Sequence, residues 1–150
     1  MRGFVIQDFS VYQKNGTVRS ITPDYHRAES LFADSHRKLQ VLQRQIAALG
    51  VDAELANEYI ILCYDILLLC IRAHLYKKGL VSKGLGAHEA EVSYLQELSI
   101  PTKDILFLDQ MRYFRNGMLY YGKTLDVEYA HAVISFTQSL HAKLLTTHPN

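Results

Sequence analysis

Apolar residues recur at alternating steps of four and three along most of the chain, and this spacing predicts α-helices. The clearest helix begins at Thr22-Pro23-Asp24, where a capping hydroxyl, a proline at the first helical position and an acid in the first turn come together. Gly50 is predicted to end it. Its inward stripe consists of Ala28, Phe32, Ser35, Leu39, Leu42, Ile46 and Leu49.

A second helix is predicted from a cap at Asp52 to Gly79. It is apolar on nearly every side, which predicts a central place in the fold. Residues 79 to 87 are rich in glycine and predict a mobile loop. A shorter helix follows from about His88 to Leu98, with Val92 and Leu95 pointing inward, before Ser99-Ile100-Pro101 breaks it.

The segment from Asp104 to Gly122, capped by Thr102, is predicted to be a helix with two unlike faces. One face is a continuous apolar stripe of Phe107, Met111, Phe114, Met118 and Tyr121. The other face mixes apolar with polar side chains: Ile105, Leu108, Asp109, Arg112, Arg115, Asn116, Leu119 and Tyr120. Since one stripe is enough to join a core, we expect a partner subunit or a ligand to cover the second face. The alternative is a solvated edge on which the arginine stems pack over the leucines.

A last helix is predicted from about Leu125 to Leu145, with its stripe at Tyr129, Val133, Phe136, Leu140 and Leu144. Residues 1 to 21 suit either a hairpin that turns at Asn15-Gly16 or an extended arm that clasps the body. The prediction is therefore an all-α, antiparallel bundle of about five helices. It forms a single domain over residues 22–147, preceded by an N-terminal arm or hairpin.

Asp65 lies in the middle of the most apolar helix. A lone buried carboxylate would cost several kcal/mol, so we expect Asp65 to pair with Arg72, Arg112 or Arg115. The alternative is a solvent-facing notch in that helix.

Composition narrows the range of functions. A chain of 150 residues that is 49% hydrophobic can bury one core. The net charge of +1 argues against a global basic field for nucleic acid, so any anion site must be local. Cys63 and Cys70 lie seven residues apart on one predicted helix, about 10 Å along its axis, and cannot bridge each other. They predict buried free thiols and a reducing compartment.

Nothing in the chain predicts targeting to a membrane. The N-terminal residues lack the apolar region and cleavage site of a signal peptide. The longest apolar run, Ile60 to Ile71, is interrupted by Asp65 and is too short to span a bilayer. We therefore expect a soluble, cytoplasmic protein.

Two kinds of candidate chemistry have weak support. The pattern Gly117-x-x-x-x-Gly122-Lys123-Thr124 matches a phosphate-binding loop in letters, but such a loop follows a strand and this one follows a predicted helix. We interpret the match as accidental. The seven histidines show no metal-binding spacing, so neither a metal nor a cofactor is predicted. His88 is interpreted as a capping or buried histidine.

Four places in the chain together resemble the HEPN domains, which are small helical bundles. They are Tyr64-Asp65 with Ile71-Arg72-Ala73 and Gly79; Gly86-Ala87-His88 with Val92 and Leu95; Leu108-Asp109-x-x-Arg112-x-x-Arg115-Asn116-x-x-x-Tyr120 with Gly122; and Ala130 with Ala132. The resemblance covers residues 24 to about 145. It implies a dimer that acts on RNA or nucleotides, often within a toxin–antitoxin or defence pair.

The family's ribonucleases use an arginine, a polar residue and then a histidine. Arg115 and Asn116 match the first two, but Tyr120 occupies the histidine position. A tyrosine with a pKa of about 10 is a poor general base, although it can stack on a base or donate a hydrogen bond. Some family toxins are modified by a cognate nucleotidyltransferase on a nearby tyrosine. Tyr121 is one residue short of that position, so this role is not assigned to it.

Three functional interpretations stay open. In the first, Arg112, Arg115, Asn116 and Tyr120, with Asp65, bind a nucleotide or RNA in a homodimer cleft without efficient catalysis. In the second, the chain is a metal-independent ribonuclease in which His88 or His131 replaces the missing histidine. In the third, the domain only pairs with itself or with a cognate protein.

Overall fold

The structure is a computed structural model that describes residues 6–121 and 125–147, without the side chains of residues 119–121. In chain order it contains α1 (Phe9–Lys14), β1 (Val18–Ser20), α2 (Tyr25–Leu49), α3 (Ala56–Lys77), β2 (Leu80–Ser82), α4 (Ala87–Ser93), a 3₁₀ helix (Tyr94–Leu98), α5 (Thr102–Tyr121) and α6 (Val127–Thr146). The predicted all-α bundle is confirmed.

The central helix is α3, as predicted. It packs on α2 and α6 along its length and also contacts α4, α5 and β2. Because its neighbours surround it, Tyr64, Ile66, Leu67, Cys70 and Ile71 are all buried. These side chains form the middle of the hydrophobic core.

The length of α3 corrects one expectation. With 22 residues and a mean hydropathy of 1.6 in its most apolar window, α3 has the length and composition that could cross a membrane. The apolar run from Ile60 to Ile71, which was judged too short to span a bilayer, covers only part of this helix. The rest of the chain buries 67% of that window, so α3 is a core helix of this bundle.

The N-terminal segment is not the predicted hairpin. Residues 9 to 14 form α1, whose first turn is capped by the Asp8 carboxylate, and Phe9 packs edge-on against Tyr94 with ring centroids 4.9 Å apart. The strand β1 then pairs antiparallel with β2, with Arg19 opposite Val81. Residues 80 to 82 are therefore an ordered strand and not part of a mobile loop. The N-terminal hairpin and the mobile loop were both predicted wrongly for one reason: β1 pairs with a strand that is distant in the sequence.

Several helix ends also differ from prediction. The α2 cap is Asp24, which accepts from the Arg27 amide at 2.9 Å, and not Thr22. Asp52 caps a turn that precedes α3 by accepting from the Leu55 amide at 2.9 Å. The helix predicted from His88 divides into α4 and the 3₁₀ helix. Thr102 is the first residue of α5 instead of its cap. Gly50 ends α2 as predicted, with φ +70°.

Candidate functional site

The predicted apolar stripe of α5 forms its contact with α6. Met111 and Met118 are buried, Phe107 lies 4.4 Å from Phe136 between ring centroids, and Phe114 meets Tyr129 edge-on. The fifth predicted position, Tyr121, lies beyond the described side chains. The four described side chains of the stripe therefore pack against the bundle, as predicted.

The second face of α5 is also covered, but by the chain itself. Ile105, Leu108, Asp109 and Arg112 are all buried where α5 meets α3, α4 and the 3₁₀ helix. The expectation that a partner or a ligand covers these residues is wrong, because α4 docks there. Leu119 is the remaining apolar residue of this face, and its side chain lies outside the described part.

Three arginines and their acidic partners gather where α3, α4 and α5 meet. We call this group the arginine cluster, and its members are Asp65, Arg72, Glu89, Glu91, Asp109, Arg112 and Arg115. Its formal charge is −1, from three arginines and four carboxylates. The whole cluster is therefore no anion site, and its arginines have to be weighed one by one.

Arg112 is already occupied by acids of the same chain. Its Nε donates to Asp109 Oδ1 at 2.8 Å, one helical turn earlier, and its Nη1 lies 3.6 Å from Glu89 Oε1. Both Arg112 and Asp109 are buried. This arginine joins α5 to α4 and has no exposed guanidinium edge to offer a ligand.

Arg72 on α3 is held by α4. Its guanidinium donates to both oxygens of Glu91, which is buried, and its Nη2 lies 3.4 Å from His88 Nε2. A guanidinium can only donate, so Nε2 accepts and His88 is the neutral tautomer with its proton on Nδ1. Burial lowers the pKa of His88, and the nearby arginines lower it further against the opposing charge of Glu91.

Arg115 is placed differently. Its Nη2 lies 3.3 Å from Asp65 Oδ1, and its Cζ lies 5.3 Å from the centroid of the buried Tyr64 ring. The Arg115 Nε and the Tyr64 hydroxyl are both buried without a hydrogen-bond partner in the described part of the chain. Burial is the main cause that raises the pKa of Tyr64. Asp65 thus pairs with one of its predicted candidates, but the pair lies at the surface.

The exposure of the carboxylates separates the three arginines. The side chain of Asp65 is 43% exposed, compared with 5% for Asp109 and 2% for Glu91. Arg115 is 20% exposed and its acid is half-exposed, whereas Arg112 is 8% exposed even though its more distant partner, Glu89, reaches solvent. Asn116, the next residue of α5, is half-buried. Tyr120 belongs to α5 by its backbone, and its side chain is not described.

Two residues of this cluster, Glu89 and Glu91, were absent from the sequence prediction. Glu91 lies one turn before Leu95, on the inward face of α4, and this position was the available signal. An inward acid requires a cation, and Arg72 supplies it.

The remaining candidate chemistry finds little support. The phosphate-loop pattern begins inside α5 and follows helix instead of strand, while Gly122, Lys123 and Thr124 lie outside the described residues. Over residues 6–121 and 125–147, no group of His, Cys, Asp and Glu is placed to hold a metal ion. Cys63 and Cys70 are buried and unbridged, as predicted, and burial raises the pKa of each thiol to about 11.

No protein-family model, curated protein or solved structure matches this chain.

Proposed function

We propose that this bundle is a HEPN-like domain that binds RNA or a nucleotide at Arg115 and Asn116 and does not cleave it efficiently. The observation that carries the proposal is the half-exposed Arg115–Asp65 pair beside the buried Arg112–Asp109 pair. A guanidinium with an accessible partner can exchange that partner for a phosphate. Arg112 is paired with the buried Asp109, so a phosphate at Arg112 would have to disrupt a buried ion pair.

The chemistry of the exchange follows from the contacts of Arg115. An exposed ion pair contributes about 1 kcal/mol or less, so Asp65 competes weakly with an incoming anion. The cation–π contact with Tyr64 restricts the Arg115 side chain, and the guanidinium fork can contact two phosphate oxygens at once. Asn116 can bond to a base or a ribose from the same helix. The stacking role expected of Tyr120 belongs to this proposal as a prediction.

The ligand set is smaller than the sequence suggested. Arg112 is now assigned to positioning, because it clamps α4 onto α5 through Glu89 and Asp109. Asp65 is assigned as the partner of Arg115 when no ligand is bound. The direct ligand contacts are therefore those of Arg115 and Asn116, with Tyr120 as the predicted third.

A two-fold homodimer remains part of the proposal, with two copies of Arg115 facing one cleft. Its apolar basis is reduced to Leu119, since Ile105 and Leu108 are buried within the chain. The dimer is tested by light scattering on wild type and on Leu119→Asp. A monomer at micromolar concentration, or an unaffected dimer in the variant, argues against it. A cognate nucleotidyltransferase and a toxin–antitoxin or defence role stay predictions of the resemblance.

Binding is tested with a fluorescent single-stranded RNA by anisotropy. Arg115→Ala should weaken binding about 10- to 100-fold, because a charge-assisted hydrogen bond contributes about 1.5–3 kcal/mol. Arg37→Ala is the matched control, since Arg37 pairs with Asp34 on the exposed face of α2. Arg115→Lys should fall between wild type and Arg115→Ala because it keeps the charge and loses the fork. Equal affinity of the Arg115→Ala and Arg37→Ala variants would contradict the proposal.

A ribonuclease is the second candidate, and His88 supports it. His88 lies beside Arg72 of the arginine cluster, and its neutral imidazole can act as a general base once Nε2 is released by Arg72. His131, the other alternative, is exposed on α6. RNA cleavage by wild type that is lost in both His88→Ala and Arg115→Ala would replace the first proposal. RNA left intact by wild type at stoichiometric protein would exclude the second.

A further inference from the structure

A separate cavity lies between α2, α3, β2 and α4. Its volume is about 390 Å³, at the lower end of the range of roughly 300–1,000 Å³ that is typical of small-molecule sites. It borders the arginine cluster through Arg72, His88 and Glu91 but does not include Arg115 or Asn116. A ligand here would therefore be distinct from one bound at Arg115.

Much of the cavity wall is apolar. The lining side chains of this kind come from α2, α3 and β2, and they are Leu31, Leu69, Leu75, Tyr76, Leu80 and Val81. The β2 part of the wall is held in place by its pairing with β1, where Val18 lies opposite Ser82. The N-terminal segment thus shapes the cavity, which gives residues 6–20 a role that local sequence patterns did not reveal. Such a wall suits a flat, apolar ring.

Positive charge surrounds the same space. Arg27, Arg72 and Lys83 line the cavity against one acid, Glu91, so the lining carries +2 with His88 neutral. The whole chain carries only +1, which means that the charge is concentrated here. Within the described residues neither Arg27 nor Lys83 pairs with a carboxylate, and the Arg27 guanidinium lies 4.6 Å from the centroid of the Tyr76 ring. Both cations are exposed and available to an anion.

His88 adds a neutral imidazole to the cavity. Its Nε2 accepts from Arg72, so its Nδ1 carries the proton. His88 also lines the cavity. The site therefore combines an apolar wall, two cations without a carboxylate partner in the described residues, and one neutral imidazole.

We propose that this cavity binds a nucleoside monophosphate, with its base against Leu31 and Tyr76 and its phosphate between Arg27 and Lys83. The cations account for the phosphate, the apolar wall for the base, and the His88 imidazole for a polar contact with the nucleoside. The inference goes beyond RNA binding at Arg115, and neither depends on the other.

The test is calorimetric titration of the full chain with AMP, GMP, CMP and UMP, with adenosine, ribose 5-phosphate and inorganic phosphate as partial ligands. We expect at least one monophosphate to bind more tightly than about 1 mM, and each partial ligand to bind about tenfold or more weakly. Arg27→Ala and Lys83→Ala should each weaken that monophosphate about tenfold. Arg37→Ala is the matched control and should leave its affinity unchanged.

Two further variants make the outcome decisive. Ala87→Phe places a ring in the cavity and should abolish binding, and circular dichroism will show that the variant is folded. Arg115→Ala should bind the monophosphate as wild type does, which separates failure here from failure of RNA binding. The inference is overturned if no monophosphate binds at about 1 mM, if inorganic phosphate binds equally tightly, or if the Arg27→Ala, Lys83→Ala double variant keeps wild-type affinity.

Discussion

Removal of the Asp109 carboxylate should lower the free energy of unfolding by about 3 kcal/mol or more. Asp109→Ala leaves Arg112 buried, with Glu89 at 3.6 Å as its remaining ion-pair partner. Breaking a buried ion pair by removing one partner costs about 3–5 kcal/mol, because a buried charge is left uncompensated. Since Glu89 is half exposed and still compensates part of that charge, we expect the lower end of this range.

Asp65→Ala is the internal comparison. This variant also removes an aspartate that pairs with an arginine of α5, but this pair, Arg115 with Asp65, lies partly in solvent. We expect a loss of about 0.2–1 kcal/mol, as for exposed ion pairs. If the Asp65 carboxylate were buried against its arginine, the loss would be about 3 kcal/mol or more. Because the Asp65 side chain is 43% exposed, we expect the smaller loss of stability.

The assay is urea unfolding followed by far-UV circular dichroism, with the midpoint and the slope fitted for each variant. The double variant Asp109→Leu with Arg112→Met should recover much of the stability, because it removes both charges and keeps the volume. A loss below about 1 kcal/mol for Asp109→Ala, or the same loss for Asp109→Ala and Asp65→Ala, would refute the argument from burial.

The remaining predictions concern single residues and the two thiols. Gly79→Ala should cost about 1–3 kcal/mol in urea unfolding, because φ is +73° and a Cβ would lie 2.6 Å from the Ile21 carbonyl oxygen. Gly84→Ala should cost less, since φ is +82° but nothing lies within 4 Å. Burial lowers the pKa of His141, so its contribution to stability is present above the unfolded pKa of about 6.5 and is lost as pH falls below it. His141→Gln should flatten the decline of the urea midpoint between about pH 7 and 5; an unchanged decline would contradict this assignment. Both thiols should resist a colorimetric thiol reagent at mildly alkaline pH until the chain is unfolded, because burial raises the pKa of each to about 11.

The sequence by itself determined the helical architecture. The stripe that begins at Ala28 and the stop at Gly50 predicted α2, although its last member, Leu49, is exposed; the nearly uniform apolarity of α3 predicted its central place. Periodicity and capping depend on residues within about four positions of each other, so they can be read without knowledge of the fold. The pairing of Asp65 with an arginine was also predicted, but the burial on which that prediction rested is not found, because the carboxylate is 43% exposed.

The tertiary structure decided which arginine pairs with which acid. Sequence spacing placed Arg112 and Arg115 on one face of α5, but the docking of α4 buries the first with Glu89 and Asp109 and leaves the second with the half-exposed Asp65. The pairing of β1 with β2 and the cavity behind it were likewise beyond sequence reasoning. These features join segments that are distant along the chain, and local patterns carry no information about such contacts.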